Sequence, residues 1–208
     1  MVRTFRNKLY SAWDLFWIKI DFFLSTSRSI FLIRFQGGEV GKRLRTSGPC
    51  YFKAKKSGAI RLGKNIRLLA SHRTNRVGLS NPVLLETHAD GMIEIGDGCG
   101  ASAVVISSRS KVTIGENVII GGNVRIFDHD FHSLDPTAWG TSRDVAEVMT
   151  APVYIGNNVF IGTNVLILKG VSIGEHAIIG AGAVVTNDVG VGEIWGGCPA
   201  NVIAKRMM

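Results

Sequence analysis

Between residues 153 and 188 the apolar positions return every six residues. Ile155, Ile161, Ile167, Ile173 and Ile179 carry the phase, four of them are followed by glycine, and the fifth position of each unit is Val or Ala. A helix repeats at about 3.6 residues and a strand at about two, so neither produces this spacing. Six-residue units of this kind are hexapeptide repeats, and they predict a β-helical prism. Each unit supplies one short strand, three strands close a coil, and the aliphatic residue stacks inside on its counterparts. Glycine at the following position suits a corner with an unusual backbone conformation or a close approach of neighbouring coils.

The same phase is visible at Leu62 and Leu68 and again at Ile114, Ile120 and Ile126, with a ragged stretch from Ile93 to Ser108. The prism is therefore expected over residues 58–190. Ile126 and Ile155 are 29 residues apart, which is not a multiple of six, so residues 127–153 must leave the wall as one protruding loop. Long excursions from compact domains are disproportionately functional. This one carries Asp128, His129, Asp130, His132, Asp135, Asp144 and Glu147.

Upstream the pattern changes period. Over residues 9–24, Leu9, Trp13, Phe16, Trp17, Ile20, Phe23 and Leu24 share one helical face, with Lys8, Ser11, Asp14, Lys19 and Asp21 largely opposite and Leu15, Ile18 and Phe22 intruding on the polar side. Charges break every apolar run short of the ~18 residues a span needs, and no signal-peptide pattern follows, so the helix is expected neither to cross a bilayer nor to target the chain. Two readings stay open: a helix lying in a bilayer interface, or one packed on its own prism or on a neighbouring subunit. The chain thus divides into a basic extension with this amphipathic helix (1–57), the prism (58–190) and a tail (191–208).

Charge sharpens that division. Residues 1–80 hold 17 Lys and Arg against three acidic residues, whereas residues 81–208 hold seven against 13. The basic half points to an anionic partner. Nucleic acid is set aside because no helix-turn-helix, RRM, KH or zinc-finger pattern accompanies the charge, which leaves an anionic membrane surface or a phosphorylated substrate. Cys50, Cys99 and Cys198 are scattered and odd in number, giving neither a disulfide framework nor a zinc knuckle. The expected location is the cytoplasm, with peripheral contact at the inner face of the membrane.

The loop segment FDHDFHSLD, the re-entry APVYIGNNVFIGTNV and the exit IGAGAVVTNDV, followed by GGCPAN, together resemble the hexapeptide-repeat acyltransferases, in particular the branch that O-acetylates sugars, such as galactoside and maltose acetyltransferases. The likeness covers residues 58–206. It implies an all-β fold, a left-handed parallel β-helix with an N-terminal helical extension and one protruding loop, assembled as a homotrimer with acetyl-CoA as cosubstrate. It places the catalytic base at His132, which fits an imidazole that takes the proton of a sugar hydroxyl as it attacks a thioester. Glu147 is the implied carboxylate behind the imidazole. Asp128 and Asp130 would orient the loop or contact sugar hydroxyls; capping of local turns is an equal alternative. By register Ser102 stands where the family has an Asn that supports the tetrahedral intermediate. Thr163, Ala181, Thr186 and Asn187 match positions that meet pantetheine or phosphate, and Lys205 and Arg206 match cations for the 3′-phosphate.

One departure is that Gly197, Cys198, Pro199, Ala200 and Asn201 replace the usual Gly-Asn-Pro-Ala-Lys, displacing a cation toward Lys205. No metal is expected: the zinc prisms need a His-x4-His pair on the wall, where this chain has His176 alone. The acceptor is a free, nucleotide-linked or lipid-linked sugar. Rival readings are acetyl transfer to an antibiotic, serine or an amino sugar, or a non-catalytic β-helix that binds membranes or anions.

Overall fold

The computed structural model describes residues 2–206, with side chains from residue 12 onward. Three parallel sheets form the walls of a prism. One wall stacks Glu39–Val40, Ile60–Leu62, Met92–Ile95, Lys111–Ile114, Val153–Ile155 and Ser172–Ile173. The second runs from Arg45–Ser47 through Arg67–Leu69, Gly100–Ser102, Ile119–Gly122, Phe160–Ile161 and Ile178–Ile179 to Glu193–Gly197, and closes with the antiparallel strand Ala200–Lys205. The third climbs from Cys50–Lys53 to Val184–Val185.

The six-residue phase becomes vertical register. Leu62 lies beside Ile95, Ile95 beside Ile114, Ile114 beside Ile155 and Ile155 beside Ile173. Every member of that column is at most 5% exposed. Each such side chain contributes about 1.5–3 kcal/mol of burial, so the columns are the core.

At the corners two residue types divide the work. Gly162 is needed for close approach: a Cβ there would come within 2.5 Å of the Ala181 backbone nitrogen in the next coil. The left-handed turn falls at the neighbouring position, most often on asparagine, with φ of 57° at Asn65, 55° at Asn117, 57° at Asn158 and 60° at Asn123 and Asn164, and elsewhere on Gly170, Gly182 or His176. Asparagine tolerates that region because its short amide bonds locally. Asn123 also donates to the Asn164 side chain at 3.3 Å and to the Gly78 carbonyl at 3.0 Å, tying coils together.

Two boundaries move. The first coil begins at Glu39, which pairs with Arg61, so the prism starts about twenty residues before position 58. Its inward positions include Thr46 and Cys50 instead of a run of isoleucines, and the repeat is masked there. The ragged stretch after Ile93 is regular wall, and a second excursion between Leu69 and Val83 shifts the phase.

The helix α1 spans Val2–Phe35, well beyond 9–24 at both ends. It ends in a glycine turn: Gly37 (φ 74°) donates to the Arg34 carbonyl and Gly38 to that of Ile33. Its C-terminal half lies across the open edge of the first coil. Asp21 accepts from the Gly48 amide at 3.0 Å and from the Ser47 hydroxyl at 2.9 Å. Thr26 accepts from the Thr46 amide, Arg28 donates to the Cys50 carbonyl, and Gln36 bonds both the Phe52 carbonyl and the Ala54 amide. An uncovered sheet edge presents unpaired N–H and C=O groups, and the helix satisfies them with its polar side. Of the two open readings, packing of the 9–24 apolar face on the chain's own prism is not what is seen, since Trp13 is 61% exposed and Phe23 71%; only further along does the helix reach the core, through Ile33 with Ile30 and Leu32 beside it. Leu9 and Lys8 lie outside the described side chains.

Candidate active site

The loop leaves the third wall after Phe127 and rejoins the first at Val153. Its two arms are zipped at the base, where the Ala151 amide donates to the Asp128 carbonyl and the Asp130 amide to that of Met149. Asp128 anchors the exit. Its buried carboxylate accepts from the Ser108 hydroxyl (2.7 Å), the Arg109 amide (2.8 Å) and the Ser110 amide (2.9 Å), and meets His129 Nδ1 at 3.0 Å. Burial alone would raise this carboxyl's pKa, but those hydrogen bonds outweigh it and hold it below the ordinary value. Asp128 therefore orients the loop and makes no surface for a sugar. His129 is buried beside it, its ring centroid 4.4 Å from that of Phe131. Asp130 pairs with Lys169 at 2.6 Å, and among the described residues its Oδ2 has no hydrogen-bond partner.

His132 follows a strained residue. Phe131 adopts φ 66°, a conformation rare for a bulky side chain and costing about 1–3 kcal/mol. Beyond it, His132 Nδ1 lies 2.9 Å from Asp144 Oδ2, and the other oxygen of that carboxylate accepts from the Ser133 amide at 2.8 Å. Asp144 sits on a short helix, α2 (Ser142–Ala146), started by Thr141, whose hydroxyl accepts from the Arg143 amide. The bond to His132, followed by the Ser133 amide, keeps the Asp144 carboxyl below the usual carboxylate range. With Nδ1–H directed at a carboxylate, Nε2 is left as the basic nitrogen. The His132 side chain is 73% exposed, so this nitrogen is open to solvent on the single chain.

Glu147 does not fill the role expected of it. Its carboxylate pairs with Arg143 at 2.8 Å and lies 3.4 Å from the Ser133 hydroxyl, bracing the loop; Asp144 holds the imidazole. The physical reason is the turn of α2, which directs Asp144 inward, where it is buried, and leaves Glu147 at the helix end with Arg143 and Asp135. Asp144 was missed because it is 12 residues from His132 and no local spacing links them.

The other expected residues are dispersed. Ser102 is at the second-to-third corner, bonded by the Asn75 amide at 2.6 Å, whereas the loop springs from the third-to-first corner. Thr163 and Ala181 share Ser102's corner in later coils, and the Gly182 amide donates to the Thr163 carbonyl. Thr186 and Asn187, bonded to each other, lie at the loop's corner above it. Lys205 ends the closing strand opposite Glu193, with Arg206 next to it. Within one chain the Ser102, Thr163 and Ala181 corner, the Thr186 and Asn187 corner and the closing strand form three separate groups.

Below the loop, on the same corner, Lys53, Lys55, Thr87, His88, Arg109 and Val145 line a cleft of about 460 Å³. Arg109 closes it toward α2 by donating to the Val145 carbonyl. Burial lowers the His88 pKa, although Glu86 opposes this. Sequence reasoning missed this cleft because its residues come from three separate coils.

A family model described as bacterial transferase hexapeptide (six repeats) matches residues 152–187. The chain is 32% identical over 162 residues, 76% of each protein, to WbbJ of Escherichia coli, which bears the name of a lipopolysaccharide biosynthesis O-acetyl transferase. It is 40% identical over 96 residues to the galactoside O-acetyltransferase of the same organism, covering 45% of this chain and 44% of that one. A hexapeptide-repeat acetyltransferase from Vibrio cholerae superposes with a TM-score of 0.58 at 26% identity, over 86% of this chain and 80% of its own, and shares the left-handed parallel β-helix. With the stacked six-residue columns, the excursion loop and similarity across three quarters of a full-length relative, the chain belongs to the hexapeptide-repeat acetyltransferases.

Proposed function

We propose that this protein is an acetyl-CoA-dependent O-acetyltransferase acting on a sugar hydroxyl, in the synthesis of a surface polysaccharide or lipopolysaccharide. The observation that carries the reading is the His132–Asp144 pair on a braced loop. His132 Nε2 takes the hydroxyl proton as the sugar oxygen bonds to the thioester carbonyl carbon. The tetrahedral intermediate then collapses, the C–S bond breaks, and the imidazolium returns the proton to the departing thiolate. Asp144 orients the ring and stabilises its charged form. Transfer is direct, within a ternary complex, since the sequence neighbours of Cys198 are Gly196, Gly197, Pro199 and Ala200 and include no cation to activate it as an acyl carrier.

The exposure of His132 supports a homotrimer in which a neighbouring prism completes the site. The same assembly would unite Thr163, Ala181, Thr186, Asn187, Lys205 and Arg206 around acetyl-CoA, whose contacts need small residues beside pantetheine and cations beside phosphate. Ser102 would meet the intermediate from across that interface, and the unpaired Asp130 oxygen would accept from a sugar hydroxyl or water. The cleft bearing Lys55 and Arg109 favours an acceptor that carries phosphate, nucleotide-linked or lipid-linked. The test is thiol release from acetyl-CoA by the purified protein with free, nucleotide-linked and lipid-linked sugars. Acetylated product with a phosphate-bearing sugar supports the reading. Release no faster than without acceptor across all three classes contradicts it.

A further inference from the structure

We propose that α1 docks this protein on an anionic lipid bilayer through an apolar face that the fold turns outward. An amphipathic helix ordinarily buries its apolar stripe on the body it belongs to. Here the arrangement is inverted. At about 100° per residue, Asp21, Ser25 and Ser29 lie on the side that bonds to the first coil, while Trp13, Phe16, Phe23 and Phe31 lie about 120–180° round the helix from Ser25, with Trp17 and Leu24 at the border between the two sides. Their side chains are 39–71% exposed. The cause lies in the first coil: its open edge offers polar backbone groups, which select the polar side of the helix, and among the described residues the outward stripe has no partner, the contact with the core being made by Ile33, Ile30 and Leu32 instead.

The outward stripe from Trp13 to Phe31 is about 27 Å long by helical rise and is rich in aromatic side chains, the type suited to a headgroup boundary. Trp13 stacks on Phe16 with ring centroids 6.2 Å apart, and Phe31 on Phe35 at 5.7 Å, giving contiguous patches instead of isolated residues. Exposed Lys19 flanks one margin of the stripe and Arg34 lies near its C-terminal end, while Arg28 at the other margin, though exposed, is directed at the Cys50 carbonyl. Among the described residues no helix is long and apolar enough to cross a membrane, so the helix lies in the interface.

Charge selects the occupant. A second copy of the chain presenting this face would bring the same cations against each other, within a half that holds 17 basic residues to three acidic ones. Anionic headgroups complement them. Because apolar insertion and basic attraction each anchor weakly alone, binding should need both and should be reversible. This inference stands apart from the acyl-transfer reading, and its test does not use activity.

The experiment is co-sedimentation of the full chain with vesicles of phosphatidylcholine alone and of phosphatidylcholine with phosphatidylglycerol, with quenching of tryptophan fluorescence by brominated lipid as second readout. The native protein should pellet with the anionic vesicles and be quenched, and should be released at about 1 M salt, where the Debye length is about 3 Å. The triple variant Trp13→Gln, Phe23→Gln, Phe31→Gln, altering only exposed side chains, should stay in the supernatant with an unchanged sedimentation coefficient. Three results would overturn the proposal: native protein that ignores anionic vesicles, a variant that binds them equally, or a variant whose soluble assembly dissociates, which would make the stripe a subunit contact.

Discussion

Asp144 and Glu147 are three residues apart on one turn, yet their chemistry differs. Asp144 faces the imidazole and the Ser133 amide, whereas Glu147 faces Arg143. Asp144→Asn should therefore lower kcat at least about tenfold with the acetyl-CoA dissociation constant unchanged, while Glu147→Gln should leave kcat within a factor of about three. Steady-state kinetics with calorimetric acetyl-CoA binding checks both, and the reverse ranking would return the role to Glu147. Asp128 has a different duty. Replacing this buried carboxylate by Asn sets an amide N–H₂ against the Ser108, Arg109 and Ser110 donors and should cost about 2–3 kcal/mol, read as a fall in the denaturant midpoint. Both carboxyls titrate below their ordinary value, so their stabilisation is complete above about pH 4 and is lost as pH falls through the folded values. Thermal midpoints should accordingly be flat with respect to these groups above pH 5 and decline below 4. His132 could be singled out as a candidate because its motif is local; its contact with Asp144 could not, because only the folded turn of α2 brings that carboxylate to the ring.

At the scale of elements, the six-residue columns were readable at Leu62 and Leu68 and from Ile114 onward, where the inward positions are aliphatic, and unreadable in the first coil, where Thr46 and Cys50 are buried, and between Ile93 and Ser108, where Cys99, Ser107 and Ser108 are. The corner glycines were also readable, though their reason is proximity. Gly162→Ala pushes a Cβ against the Ala181 backbone, which has no flexible end to yield, and should cost about 1–3 kcal/mol. Chemical denaturation reports it, and an unchanged midpoint would mean that the coils separate freely. For α1, periodicity grouped Trp13, Phe16, Phe23 and Leu24, which are exposed together, and said nothing of which side meets the prism. That choice belongs to the sheet edge, a feature no local pattern encodes.

For the whole molecule the decisive matter is assembly. The His132 side chain is 73% exposed, and the residues matched to acetyl-CoA lie at two corners and on the closing strand, which supports the proposed site shared between subunits. Analytical ultracentrifugation should give a species of three 22.5 kDa chains, and a fully active monomer would contradict the shared site. The central claim is that His132 performs the proton transfer in acetyl transfer. Its most direct test is kcat of His132→Ala in the intact assembly, with an acceptor that the native protein acetylates. A fall of about 10²–10⁴-fold with unchanged acetyl-CoA affinity is predicted; retention of most of the native kcat would contradict the account.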